Sequence, residues 1–201
     1  MRVVSLGLEA EGAIGDALSE AFADYPVMRF VVGADGDYGE RLRDLVGFFV
    51  GRRLRQGGPG LGVLENGQIA AAAVFTRPIE PEMPAEVAAM REALWQRLGT
   101  DARRRYEAYV AVVGTFDAGR PRHHHLNMIG VRPSHQGRGL ARPILEAIEQ
   151  LSADDAGSAG VSLTTERAGN VQLYERFGYQ VTGHGRVSPD LESWGMFLPT
   201  T

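Results

Sequence analysis

Three groups of residues in this chain have side chains and spacings suited to chemistry. The first is Gln136-Gly137-Arg138-Gly139-Leu140-Ala141, which lies between the apolar run Leu126–Val131 and a helical pattern opening near Leu140. A strand that passes through a glycine-containing loop into a helix collects free backbone N–H groups and the positive end of the helix dipole, which makes an anion site. Gly137 and Gly139 allow a phosphate close to the backbone, and Arg132, Arg138 and Arg142 add positive charge nearby. The second group is His123-His124-His125. Side chains alternate along a strand, so His125 and Asn127 share a face and His124 points the other way. Such a trio cannot converge on one metal ion, and no metal is expected. The third group is Asn170-Val171-Gln172-Leu173-Tyr174-Glu175-Arg176-Phe177-Gly178-Tyr179, an apolar-faced helix with Asn170 at its start and Gly178 placed to end it.

These groups need elements to hold them. Ile14, Ala17, Leu18, Ala21 and Phe22 have helical spacing within residues 12–24, and Leu42, Leu45, Val46 and Phe49 give a second helix over Tyr38 to about Arg55. Gly57-Gly58-Pro59-Gly60 breaks it. Leu61–Leu64 and Ile69–Phe75 flank Asn66-Gly67, a pair that accepts the positive φ of a tight turn, and so predict an antiparallel hairpin. Pro78, Pro81 and Pro84 end its second strand. Ala85–Leu98 reads as another helix, and Asp101–Val113 as either helix or strand, because Val110–Val113 suits both. In the second half, a strand at Leu126–Val131 leads to an amphipathic helix with Leu140, Ile144, Leu145, Ile148 and Leu151 inward. Then come a strand at Val161–Thr165, a helix at Asn170–Phe177, and strands at Tyr179–Gly183 and Trp194–Leu198. Helices, hairpin, helices, then alternating strand and helix predict one α/β domain with a mixed sheet over residues 1–201.

Composition removes several classes. The chain has 201 residues, no cysteine and a formal charge of −4. Disulfides, thiolate nucleophiles and cysteine zinc sites are therefore absent, and acyl transfer cannot pass through a cysteine acyl-enzyme. A slightly acidic balance offers no field for nucleic acid or an anionic membrane. The N-terminus lacks a signal-peptide pattern and no apolar run approaches the roughly 20 residues of a membrane span, so a cytoplasmic protein is expected. The glycine loop is not a P-loop, which needs G-x-x-x-x-G-K-[ST], nor a dinucleotide fingerprint, because Arg142 stands at the third glycine position.

Gln136-x-x-Gly139-x-Ala141, preceded by strand-Val-x-Pro and followed by an amphipathic helix, resembles the pyrophosphate-binding loop of the GCN5-related N-acetyltransferase (GNAT) superfamily. Asn170 to Tyr179 resembles the N-x-x-[LF]-Y-E-[RK]-x-G-[FY] signature that ends the superfamily's cofactor-binding core. Ser193-Trp194-Gly195-Met196-Phe197 is similar to the end of puromycin N-acetyltransferase-like members. The resemblance implies a cofactor-binding core over about 123–185, with acceptor-side helices over about 10–58 and 78–122. It implies acetyl-CoA as acyl donor, held by Ile129, Gly130 and Val131 on a strand that splays from its neighbour and by Gln136, Gly137, Arg138, Gly139, Leu140, Ala141 and Arg142. It also implies Tyr174 as the acid that protonates the departing thiolate. Asn170 contacts the cofactor or caps its own helix, and its short spacing from Tyr174 favours the cap. Some relatives carry a glutamate base on the strand before this helix. Here Ser162–Thr165 occupies that strand and Glu166 falls beyond it. Arylalkylamine N-acetyltransferases carry relay histidines at positions matching His125 and Asn127, which points to His125 as the base.

The expected activity is transfer of an acetyl group to the primary amine of a small molecule, with both substrates bound together. Asp35, Asp37, Glu80, Glu82 and Glu86 are candidates to receive a cationic amine. The alternatives are an acyl-CoA-binding regulatory module without turnover, and acetylation of protein lysines or N-termini. The unmatched segment 78–122 would narrow the acceptor site and disfavours the latter. Dimerisation is common in the family, but no stripe in this chain establishes a homodimer.

Overall fold

The computed structural model describes residues 2–34, 36–79 and 82–200. Among them are seven strands, β1 (Val3–Leu6), β2 (Gly60–Glu65), β3 (Gln68–Thr76), β4 (His124–Val131), β5 (Gly160–Thr165), β6 (Gln180–Ser188) and β7 (Leu191–Pro199), in one sheet of order β1-β2-β3-β4-β5-β7-β6. Six α-helices flank it: α1 (Glu11–Ala21), α2 (Pro26–Val32), α3 (Tyr38–Arg55), α4 (Ala85–Val113), α5 (Ala141–Ala153) and α6 (Ala168–Glu175). All strand pairs are antiparallel except β4 with β5.

Two apolar layers sandwich the sheet. Along β3, Ala72 and Val74 face a core built with α1 to α4, while Ala71, Ala73 and Phe75 face a second core under α5 and α6. The small alanines let helices on both faces come close. The β2–β3 turn has positive φ at Asn66 (50°) and Gly67 (77°), the turn expected of Asn-Gly.

Two elements were not expected from the sequence, and one open assignment is decided. β1 and α2 went unassigned. α2 is short, opens on Pro26 at its first turn and buries Val27, Met28, Val31 and Val32, so its apolar run shows no polar face. The segment 101–113 is helical. It continues α4 beyond a break at Gly99 (φ 80°, ψ 169°), and Arg103 and Glu107 bond one turn apart (2.9 Å). The β-branched Val110–Val113 is overridden because this helix packs one face over the sheet.

The join between β4 and β5 decides where a site can form. The two strands pair only from His124 to Leu126, opposite Val161 to Leu163. Across the other edge, Phe75 faces Leu126 but Val74 faces Met128, so Asn127 is an extra residue, a β-bulge. Beyond the bulge the facing reverses. Leu126 lies in the α5–α6 core, Met128 in the core with α1 to α4, and β4 runs to Val131 without a partner on its β5 side.

Candidate active site

The open edge of β4 carries free backbone groups. Arg132 N–H donates back to Ala70 O on β3 (2.9 Å), so alternation directs the N–H groups of Gly130 and Met128 to β3 and those of Ile129 and Val131 into the opening. Ile129 and Val131 thus present their N–H groups on the edge that β5 leaves unpaired. Gly130 has another task. A Cβ there would meet Ala21 (2.6 Å) and Leu18 (3.1 Å), so its lack of a side chain lets α1 lie against β4.

At the end of β4, a 3-10 turn at Pro133–His135 leads to the glycine loop. Gly137 (φ 75°) and Gly139 (φ 74°) adopt the left-handed region, and a Cβ on either would meet nothing within 4 Å. Conformation rather than crowding requires glycine here, since another residue would cost about 1–2 kcal/mol. Among the described residues, the backbone N–H groups from Gly137 to Ala141 donate to no protein acceptor, and they precede the first turn of α5. N–H groups left free at the start of a helix have the geometry that suits an anion. The neighbouring arginines are not idle. Arg138 makes a bidentate pair with Glu65 (2.7 Å for both bonds), Arg142 pairs with Glu146 (2.7 Å), and Arg132 pairs with Glu20. Gln136 Nε2 donates to Val131 O (3.2 Å), closing the loop onto the strand end. Leu140 is buried in the α5 core, so only its backbone faces the cradle.

Beside the bulge lies a cavity of 340 Å³. Its floor is β4 and β5, with His125, Asn127 and Thr164, and Tyr174 of α6 and Glu166 close one end. α2, α3 and the second half of α4 form the other walls. Tyr174 is buried (8 % exposed), and burial raises its pKa, so the phenol stays protonated. Its hydroxyl has no hydrogen-bond partner among the described residues and remains available to donate.

His125 reaches the cavity as alternation predicts. Its Nδ1 shares a hydrogen bond with Ser162 Oγ (2.7 Å) and lies 3.7 Å from Asp117 Oδ2. Burial pushes the Asp117 carboxyl up, but hydrogen bonds from His123, His125 and Ser162 outweigh it and hold the group well below the usual carboxylate range. Arg120 Nε also donates to Asp117 (3.0 Å). His124 faces away, with Nδ1 bonded to Ser158 Oγ (3.0 Å), and the three rings do not converge. Asn127 accepts from Thr76 Oγ1 (2.8 Å) and also lines the cavity.

Two sequence expectations change. Asn170 does not cap its helix. α6 begins at Ala168 behind Arg167, and Asn170 Nδ2 donates to Thr165 Oγ1 (3.1 Å) from the cavity wall. Glu166, set aside for lying beyond the strand, turns into the cavity with only 8 % exposure. Its Oε1 accepts from Ser193 Oγ (2.7 Å) and Tyr109 OH (3.0 Å), and its backbone N–H donates to Tyr25 OH (3.2 Å), which also bonds Thr165 Oγ1 (2.9 Å). Desolvation raises the Glu166 pKa against the lowering effect of these bonds. Tyr25, Tyr109 and Asp117 belong to none of the motifs, Ser193 opens one without having been read as a site residue, and only the Glu166 carboxyl type hinted at their site. The amine-receiving acids among the described residues do not assemble. Asp37 caps α3 through Glu40 N–H (3.0 Å), Glu86 pairs with Arg55 (2.8 Å), Glu82 is exposed, and Asp35 and Glu80 lie outside the described residues.

Residues 104–181, from the middle of α4 to the start of β6, match the family model described as Acetyltransferase (GNAT) domain. This stretch carries a GNAT acetyltransferase domain. Its class of chemistry is N-acetyl transfer. Solved structures share the GNAT fold over nearly the whole chain. A protein titled histone acetyltransferase HPA2 and related acetyltransferase, from Corynebacterium glutamicum, is 21% identical with a TM-score of 0.72, covering 98% of this chain and 94% of that one. Polyamine N-acetyltransferase of Drosophila melanogaster is 20% identical (TM-score 0.63; 98% and 100% covered), and arylalkylamine N-acetyltransferase 2 of Aedes aegypti 16% (0.62; 100% and 99%). At these identities the likeness is one of GNAT fold. Among the described residues, no helix is long and apolar enough to cross a membrane.

Proposed function

We propose that this GNAT member transfers the acetyl group of acetyl-CoA to the primary amine of a small molecule by direct transfer, as a cytoplasmic enzyme. The observation that carries this reading is the continuity of the bulged, unpaired edge of β4 with a cavity lined by Tyr174, His125 and Glu166. The glycine cradle suits the donor's pyrophosphate, and the N–H groups of Ile129 and Val131 suit its amide-bearing arm. Relatives of the same fold named for polyamine, agmatine and arylalkylamine acetylation support a small amine. Tyr106, Tyr109, Val110 and Val113 of α4 wall the cavity, which favours a small acceptor over a lysine side chain on a folded protein.

In this reading the amine nitrogen attacks the thioester carbonyl, the C–N bond forms and the C–S bond breaks. A main-chain N–H on the β4 edge stabilises the oxyanion. His125 takes the proton from the amine, with the ionised Asp117 beside the imidazolium that forms. Tyr174 donates to the departing thiolate, whose charge the buried site disfavours. Asn170 borders the donor from α6. A second reading gives the base to Glu166, favoured by its buried carboxyl of raised pKa.

Release of CoA thiol from acetyl-CoA, followed with a thiol dye across aminonucleosides, aminoglycosides, polyamines, arylalkylamines, amino acids and a lysine peptide, tests the reading. The cysteine-free chain adds no background. Turnover with one amine class is expected, and Tyr174→Phe should lower kcat by about 10²-fold while acetyl-CoA still binds. Binding without turnover of any amine would instead indicate a regulatory acyl-CoA module, and no binding would refute the proposal.

A further inference from the structure

The charge and shape of the cavity walls narrow the acceptor. Its body-facing walls are rich in rings: Phe22, Tyr25, Phe49, Tyr106 and Tyr109 line it, with Phe49 and Tyr106 centroids 5.7 Å apart. Its carboxylates, among the described residues, are Asp117 and Glu166, and both are engaged by protein donors. Asp117 takes Arg120, and Glu166 takes Ser193 and Tyr109. Its guanidinium groups are Arg52 and Arg53, half-buried on the last turns of α3.

The helix opposite puts these charges in order. The field of Arg52 and Arg53 reaches Tyr106, where it works against the burial that raises that phenol's pKa. Tyr109, three residues on, bonds Glu166 (3.0 Å). Three residues of helix rise about 4.5 Å. Along α4 the cavity therefore passes from a cationic wall, across aromatic rings, to the carboxylate and phenol of the reacting end.

We propose that the acceptor is an amine whose aromatic body carries an anionic group, with Arg52 and Arg53 receiving that anion while the amine lies at Glu166 and Tyr174. This rests on the reading of the cavity as the acceptor site. Each guanidinium has five N–H donors, so it can bind a carboxylate in addition to the protein partners it already has, such as Gln56 for Arg52 (2.8 Å). A second ammonium group, as in a polyamine, would instead meet the like charge of the two guanidinium groups at that end.

Three amines of one scaffold decide it: 2-phenylethylamine, its para-carboxylate 4-(2-aminoethyl)benzoate, and its para-aminomethyl analogue. The readout is kcat/KM from CoA thiol release. The carboxylate should exceed the unsubstituted amine by at least about 10-fold, and the dication should be poorest. In Arg52→Gln/Arg53→Gln the ratio of carboxylate to unsubstituted amine should fall toward one, while Arg52→Lys/Arg53→Lys should keep part of it. If the glutamine variant does not fold, the wild-type ratio should still shrink as salt is raised, because the part of each arginine that stays open to solvent is screened. Equal or better turnover of the unsubstituted amine or the dication, or a ratio insensitive to both the substitutions and salt, would overturn the inference. Turnover of other amines but none of these three would overturn it while leaving small-amine acetylation intact. Silence with every amine would bring down the function itself.

Discussion

At the scale of single residues, the open point is which group takes the amine proton. His125 is half-buried beside an ionised Asp117, whereas Glu166 is buried among three hydroxyl groups. With His125 as base, His125→Gln should lower kcat by about 10²-fold. Glu166→Gln should act mainly on KM, because the carboxylate then holds the amine. Steady-state kinetics from pH 5 to 9 separate the two, and the reverse pattern would assign the base to Glu166. The types and alternation of His125 and Asn127 were legible from sequence. Glu166 was not, because its distance along the chain from Tyr174 says nothing of the turn after β5 that sends its side chain inward. Asn170 was misread for the same reason. A start at Ala168 rather than at Asn170 moves that residue from cap to cavity wall.

At the scale of elements, the connection from α4 to β4 is pinned by Asp117, which accepts from Arg120 and lies 3.4 Å from His123 Nε2. The Asp117 pKa is depressed in the fold, so its contribution is present above the ordinary value of 3.8 and lost as pH falls through the folded value. That of His123 is raised, chiefly by its hydrogen bond to Asp117, so its contribution is present below 6.5 and lost as pH rises through the folded value. Asp117→Asn should therefore lower the thermal midpoint most between about pH 4 and 6.5, and the gap should narrow above that range. Thermal melts across pH 4 to 9 would show it. The glycine loop carries a second element-scale effect. Arg138 is half exposed in its pair with Glu65, and such pairs are worth about 0–1 kcal/mol, so a pyrophosphate can take the guanidinium over. Glu65→Gln should tighten acetyl-CoA binding by a few-fold at low salt, measured by calorimetry, with the gain shrinking as salt rises.

At the scale of the whole molecule, the cavity exists because α4 can lie flat on the last two strands. A Cβ at Gly183 or Gly195 would come within 2.5 or 2.7 Å of Phe116, and one at Gly185 within 2.5 Å of Val112. These glycines form a floor on which the end of α4 settles, bringing Tyr109 over Glu166. Gly195→Val should displace Phe116, cost about 1–3 kcal/mol of stability, and raise the KM for the amine more than that for acetyl-CoA. Denaturant melts and two-substrate kinetics would check both effects.

The sequence alone determined the parts whose physics is local. The glycine loop, the Asn-Gly hairpin, the long amphipathic helices and the strand–loop–helix order follow from periodicity, turn chemistry and backbone conformation, each a property of neighbouring residues. Only the tertiary structure decided the rest. The bulge at Asn127 appears when β4 is set against β3, and the opening when it is set against β5. The helical state of 101–113, the ion pairs that occupy Arg132 and Arg138, and the gathering of Tyr25, Tyr109, Glu166 and Ser193 join residues up to 141 positions apart. No window along the chain contains such contacts, because they come from packing two helical layers on one sheet.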